Sequence, residues 1–283
     1  MTRSSDSRPI GVFDSGVGGL TVLSELRRRL PDEATVYLGD NERTPYGPRP
    51  ADEVRRFTLE CVAWLLRQDV KALVLACNTA TSHALADVRD VSPVPVLGVV
   101  RPGAVTAAAA TRSGHVGVIA TAGTVASGAY PAALNEADRG LVVRQQACPD
   151  LVPLVEAGRL EGPEAAATVD GYLDQLLAAD AAIDTLLLGC THYPLLRPLI
   201  EARVGPGVAV VDSAFTTALA TEDLLDALGS RAASAPPGSP PAGAGPGGHR
   251  IATTGDVAAF SAVAERVFGA RLPQVEAAEV GAH

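Results

Sequence analysis

Lysine is almost missing from this chain. Lys71 is the only one, against 22 arginines among the 23 basic residues. Any chemistry that needs a lysine Schiff base, pyridoxal-phosphate catalysis included, has to run through Lys71 or not at all. Positive charge is short altogether: 23 basic against 32 acidic residues leave a net charge of −9 and a pI near 5.0. That balance argues against a nucleic-acid partner. No apolar run approaches the roughly 18 residues of a membrane span, and the polar stretch from Met1 to Pro9 lacks the apolar core of a signal peptide. The four cysteines, Cys61, Cys77, Cys148 and Cys190, include no CxxC pair. Neither a disulfide scaffold nor a zinc ribbon is indicated. These shortages leave the expectation of a soluble, cytoplasmic protein with reduced thiols and no membrane partner.

What the chain does have is apolar material, 47% of 283 residues, enough for one large domain or two of modest size. Short β-branched runs alternate with longer amphipathic stretches. Ile10–Phe13, Thr35–Leu38, Ala72–Ala76, Val94–Val99, Val116–Ala120, Thr185–Leu188 and Val208–Val211 read as buried strands. Leu20–Leu30, Asp52–Gln68 and Pro163–Ala179 read as helices. This alternation predicts an α/β fold with parallel sheets.

A weak internal repeat divides the chain. Gly11-Val12-Phe13-Asp14-Ser15-Gly16 resembles Gly117-Val118-Ile119-Ala120-Thr121-Ala122, and Leu73-Val74-Leu75-Ala76-Cys77-Asn78-Thr79 resembles Leu186-Leu187-Leu188-Gly189-Cys190-Thr191-His192. The order is the same in both, which predicts two pseudo-symmetric halves. Gly229–Gly248 holds 11 Gly or Pro residues in 20 and reads as a disordered insertion, since it cannot bury a core. Beyond it, Arg250–Thr254 reads as a strand and Asp256–Phe268 as a helix. The expected division is residues 1–100 with 212–283 as a first half, 229–248 being the insertion, and 101–211 as a second.

Open α/β sheets bind ligands beyond the carboxyl ends of their strands. The polar residues there are Asp14, Ser15, Asp40, Cys77, Asn78, Thr79, Thr121, Cys190, Thr191 and His192. A thiol at such a strand end, followed by a helix, lies near free amides and a positive dipole end that favour the thiolate. Cys61 and Cys148 read as small buried hydrophobes, and from periodicity alone that reading stays open for Cys77 and Cys190 too. A zinc site of Cys77, Cys190 and His192 lacks an obvious fourth ligand. A Cys190–His192 hydrolase would leave Cys77 without a role. Two opposed thiols, one from each half, suit the inversion of a carbon that bears an acidic α-hydrogen, with a base on one face and an acid on the other.

At this point the residues resemble a known family, the glutamate racemases. The resemblance rests on Gly11 to Val22, Gly39-Asp40 with Arg43-Thr44-Pro45-Tyr46-Gly47, Ala76 to Thr81, and Gly189-Cys190-Thr191-His192-Tyr193-Pro194. Weaker echoes lie at Leu151 to Glu156, Val211 to Ala214 and Thr253 to Asp256. Four motifs in the right order are far more specific than one. The resemblance implies two flavodoxin-like halves with the site in the cleft between them, no cofactor, no metal, and D-glutamate made for peptidoglycan. It implies that Cys77 deprotonates D-glutamate and Cys190 deprotonates L-glutamate. It also implies that Asp14 and Ser15 contact the amino-acid head group, that Tyr46 and Gly47 line the side-chain end, and that Asn78, Thr79, Thr121, Thr191 and His192 complete the pocket. Asp14 beside Cys77 and His192 beside Cys190 would help hold each thiol in the needed protonation state, and the resemblance implies that Glu156 assists as well. Gly16-Val17-Gly18-Gly19 reads as a tight turn, since its spacing is not that of a dinucleotide loop. Asn41-Glu42 and Thr81 depart from the usual pattern without touching the acid–base pair.

The alternative within the superfamily is a racemase of aspartate or another amino acid. Pro45-Tyr46-Gly47 and Thr191 to Pro194 favour glutamate, because aspartate racemases usually carry an acidic residue near the place of His192. Decarboxylases of the superfamily typically keep one cysteine, and this chain has both. A binding role, such as the restraint of DNA gyrase reported for some members, finds no basic patch here. The resemblance leaves homodimer formation open.

Overall fold

The computed structural model describes residues 5–235, 248–269, 272 and 274–281. Among them are the strands β1 (Ile10–Asp14), β2 (Thr35–Gly39), β3 (Ala72–Leu75), β4 (Val96–Gly98), β5 (His115–Ala120), β6 (Val142–Ala147), β7 (Thr185–Gly189), β8 (Ala209–Asp212), β9 (His249–Thr253) and β10 (Val275–Ala277). The helices are α1 (Leu20–Arg29), α2 (Ala51–Leu66), α3 (Asn78–Val91), α4 (Val100–Ala110), α5 (Ala122–Ser127), α6 (Ala129–Ala137), α7 (Leu151–Glu156), α8 (Pro163–Ala179), α9 (Arg197–Val204), α10 (Ala214–Leu228) and α11 (Val257–Phe268).

The strands form two sheets in which every pairing is parallel, in the orders β10-β9-β2-β1-β3-β4 and β6-β5-β7-β8. The inner part of the first sheet, β2-β1-β3-β4, repeats the order of the second. This is the flavodoxin-like order, and the sequence repeat falls on the matched strands β1/β5 and β3/β7. Parallel sheets covered by helices on both faces need strands that are apolar throughout. Accordingly β1, β2, β3 and β7 are buried along their whole length. On one face of the first sheet, Leu23 and Leu26 of α1 pack with Leu225 of α10 and Phe260 of α11. On the other, Val54, Val62 and Leu65 of α2 pack with Ala84 and Val88 of α3. A fully buried side chain of this size contributes about 1.5–3 kcal/mol.

Two strands escaped the sequence reading. β6 (Val-Val-Arg-Gln-Gln-Ala) is half-exposed at a sheet edge, so Arg144, Gln145 and Gln146 interrupt its apolar pattern. β10 has three residues at the opposite edge of the first sheet. The Gly229–Gly248 insertion begins later than its composition indicates. Gly229 closes α10 in the left-handed conformation (φ 63°), and the amides of Ala232 and Ala235 donate to Glu33 Oε1 (2.8 Å) and Asp32 Oδ1 (3.2 Å). Residues 236–247 lie outside the described set.

Lys71 opens β3 at the end remote from Cys77, as the sequence indicated. Its Nζ lies 2.5 Å from Glu33 Oε2 and donates to the carbonyls of Asp6 and Ser230, each at 2.7 Å. The side chain is 1% exposed. This lysine is a buried structural ion pair, and the larger planar guanidinium of arginine is no simple replacement for it.

Candidate active site

Both sheets turn the carboxyl ends of their central strands toward one small cavity. Its wall comprises Ser15, Thr44, Pro45, Tyr46, Gly47, Cys77, Asn78, Thr79, Thr121, Val152, Cys190, Thr191 and His192. Ten of the thirteen candidate residues are therefore on this wall. The other three, Asp14, Asp40 and Glu156, stand one layer behind it, where they touch wall residues. Thr44, Pro45 and Val152 were not among the candidates, although all three lie inside the motifs named above; only the fold turns their side chains inward.

Cys77 ends the β3 segment in an extended conformation and caps α3. Its sulfur accepts the Ala80 amide at 3.4 Å, and its thiol donates to Ser15 Oγ at 3.4 Å. Burial pushes the Cys77 thiol up to about 12, with the negative charge of Asp14 adding to the effect, while the Ser15 and Ala80 hydrogen bonds only partly offset it. Asp14 is fully buried, and burial raises its own pKa against the pull of His192 and of the Gly19 and Gly16 amides. Asp14 Oδ2 accepts from the Gly16 amide at 3.0 Å. It makes no hydrogen bond to Cys77 and acts on that thiol through its field.

Cys190 follows β7 at the matching position, but its surroundings differ. The next element is a four-residue 3₁₀ turn, Tyr193–Leu196, rather than a long helix. The sulfur instead lies 3.8 Å from His192 Nδ1, and His192 Nε2 reaches Glu156 Oε1 at 3.1 Å. Burial alone would lower the imidazole, yet the hydrogen bonds and charges of Cys190 and Glu156 outweigh it and raise His192 to about 10. At neutral pH the ring is an imidazolium beside a sulfur. Glu156 is thus no idle surface carboxylate.

The close approach of the halves explains the turn after β1. A Cβ on Gly18 would stand 2.4 Å from Thr191 Oγ1 and 2.5 Å from His192 Nδ1, so only glycine lets the β1–α1 turn meet the Cys190 turn. Thr191 Oγ1 donates to Asp14 Oδ1 across the cleft at 3.4 Å, and Thr21 Oγ1 donates to the Thr191 carbonyl at 3.3 Å. On the opposite side, Thr79 and Thr121 share a hydrogen bond of 2.9 Å, and the Gly123 amide donates to the Gly47 carbonyl at 2.8 Å.

Tyr46 takes part through its ring rather than its hydroxyl. Its ring lines the cavity, but its hydroxyl bonds to Asp40 Oδ2. Asp40 also receives Thr254 Oγ1 at 2.6 Å and Arg43 Nε at 2.8 Å. The phenol has one proton, already directed away from the cavity, so Asp40 fixes the loop that carries Thr44 to Gly47. Among the described residues, no group of three His, Cys, Asp or Glu side chains is placed to hold a metal ion, and no helix is long and apolar enough to cross a membrane.

The cavity measures about 20 Å³, room for about one water. As it stands, the cavity is too small for an amino acid. Once inside, an amino acid would meet a neutral thiol on one side and a sulfur with an imidazolium partner on the other.

Comparisons with known proteins agree with this geometry. A family model described as Asp/Glu/Hydantoin racemase matches residues 11–221. Glutamate racemase from Shouchella clausii is 52% identical over 219 residues, 77% of this chain and 78% of that protein. Glutamate racemase from Beutenbergia cavernae is 47% identical over 282 residues, 96% of this chain and 94% of that one. Among solved structures, a glutamate racemase isoform from Bacillus anthracis superimposes with a TM-score of 0.87 at 42% identity, covering 96% of this chain and 97% of that one.

Proposed function

The chain belongs to the Asp/Glu/hydantoin racemase family, and from that premise we propose that it interconverts L-glutamate and D-glutamate by a two-thiol mechanism without a cofactor. The observation that carries this reading is the placement of Cys77 and Cys190 on one cavity wall, each from the strand-end turn of its own half. The halves are residues 1–100 with 212–283 and residues 101–211. The product D-glutamate serves peptidoglycan synthesis in the cytoplasm.

In the L-to-D direction, a Cys190 thiolate takes the α-proton. The Cα–H bond breaks, an S–H bond forms, and the electron pair delocalises into the substrate carboxylate. The Cys77 thiol then gives its proton to the opposite face of the same carbon. The electrostatics suit this order: burial and Asp14 keep Cys77 protonated, while the His192 imidazolium supplies a counter-charge for the Cys190 sulfur. The reverse direction starts from the state the forward turnover leaves, a Cys77 thiolate and a Cys190 thiol. A substrate ammonium near Asp14 offsets that carboxylate's field and makes the Cys77 thiolate less costly. Support for a cofactor-free route also comes from Lys71, whose amine is held by Glu33 at the far end of β3 and is not available for a Schiff base.

The resemblance favours glutamate over aspartate as substrate, since this chain carries His192 near the place where aspartate racemases usually carry an acidic residue. The test is to incubate the purified protein with L-glutamate in heavy water and follow circular dichroism and the α-proton NMR signal. Loss of optical activity with deuterium at Cα is expected. An α-proton that stays unexchanged sinks the enzyme reading, and exchange on aspartate in preference to glutamate sinks the substrate.

A further inference from the structure

Tyr130 belongs to none of the motifs above, yet it touches the turns that carry both thiols. It sits on α6 and is completely buried. Its hydroxyl accepts from Asn78 Nδ2 at 2.6 Å, and Asn78 is the residue directly after Cys77. Its ring edge lies against Gly189, the residue directly before Cys190, where an added Cβ would come within 2.8 Å of Tyr130 Cε2. Burial raises the phenol's pKa, so the ring stays neutral throughout the working range of pH.

The consequence falls on Asn78. That side chain is 2% exposed and lines the cavity. With its amide nitrogen committed to Tyr130, its Oδ1 is left buried and without any hydrogen-bond partner. Such an acceptor costs about 1–3 kcal/mol if it stays unmet. In an enzyme that binds a zwitterion, the group able to meet it is the α-ammonium. Without Tyr130 the amide could turn over and present its NH₂ to that cation. We infer that Tyr130 is a positioning residue: it fixes the Asn78 amide with its oxygen toward the substrate ammonium and spaces the two cysteine turns with its ring. This inference rests on the racemase reading above.

Tyr130→Phe keeps the ring and removes the hydroxyl. The expected result is a KM about tenfold higher for both enantiomers, the scale of one hydrogen bond to a charged group, with kcat lowered less. Calorimetric titration with racemic glutamate separates the two kinds of role: positioning changes Kd, whereas a merely structural role changes the fraction of protein able to bind. The double variant with Asn78→Ala completes the test. If Tyr130 acts through Asn78, removing its hydroxyl from the Asn78→Ala enzyme has no further effect on KM or Kd. A wild-type protein that leaves glutamate untouched overturns the racemase reading. A working wild-type racemase whose Tyr130→Phe variant keeps its KM and Kd, or whose effects add to those of Asn78→Ala, overturns the role of Tyr130.

Discussion

Cys77 and Cys190 follow β3 and β7, which hold the same place in the two sheet orders. The backbone plan is shared, and the means of handling charge are not. Cys77 caps a 14-residue helix and relies on the Ala80 amide and the α3 dipole, with Asp14 opposing a thiolate. Cys190 precedes a short 3₁₀ turn with little dipole to offer and has an imidazolium instead, held in turn by Glu156. On the two-thiol reading, a near-symmetric fold supplies an acid and a base at once. The backbone places the two thiols at matching strand ends, and the side chains give them different charged neighbours.

The comparison breaks most completely if either sulfur proves dispensable. Cys77→Ala and Cys190→Ala should each lower racemisation by about 10³-fold or more, the scale of losing a general acid or base, as followed by circular dichroism. The assignment sharpens in the residual exchange. Cys77→Ala should wash deuterium out of the α-position of L-glutamate only, and Cys190→Ala out of D-glutamate only. A near-normal rate in either variant refutes the two-thiol mechanism.

His192→Gln removes the charge that distinguishes the Cys190 side and should lower kcat by about 10²-fold. The same residue leaves a mark on stability. Its folded pKa, about 10, lies above the ordinary 6.5. The stability it contributes is complete below about pH 6.5 and is lost as pH rises through about 10. Denaturant titrations of wild type and His192→Gln across this window should converge at the alkaline end; a constant difference contradicts the imidazolium. Glu156→Gln weakens the same charge from one step further out. We expect about a tenfold loss in kcat and an alkaline limb of the pH–rate profile displaced to lower pH; an unmoved limb would show that Glu156 does not hold the ring.

The smallest effect on catalysis belongs to Lys71, which lies outside the comparison. Lys71→Met leaves Glu33 buried without its ammonium and should cost about 3 kcal/mol in urea unfolding, with kcat and KM of the folded enzyme unchanged. A folded but inactive Lys71→Met would return the amine to the chemistry.

Much of this was readable before folding. The repeat around Cys77 and Cys190 located both thiols, and the apolar runs located the central strands, because fully buried parallel strands have little freedom in composition. Two edge strands were not readable: half-exposed β6 carries Arg144 and Gln145, and β10 has three residues, whereas the edge strands β4 and β8 were apolar enough to read. Only the resemblance marked Glu156 out; that α7 brings it to His192 was not readable. Tyr46 was expected to line the pocket, but that Asp40 holds its hydroxyl was not readable. Tyr130 gave no signal at all, because one tyrosine in a helix says nothing about the two turns it touches.

By itself the sequence determined which residue types could do the chemistry: one remote lysine, and two thiols in matched strand-end contexts. The tertiary structure alone decided their electrical character. Local sequence places a sulfur after a strand, but its protonation depends on burial and on charges brought from elsewhere in the chain. Asp14 is 63 positions from Cys77, and Glu156 is 34 from Cys190; only the folding of each half, which pairs β1 with β3 and brings α7 to His192, makes them neighbours.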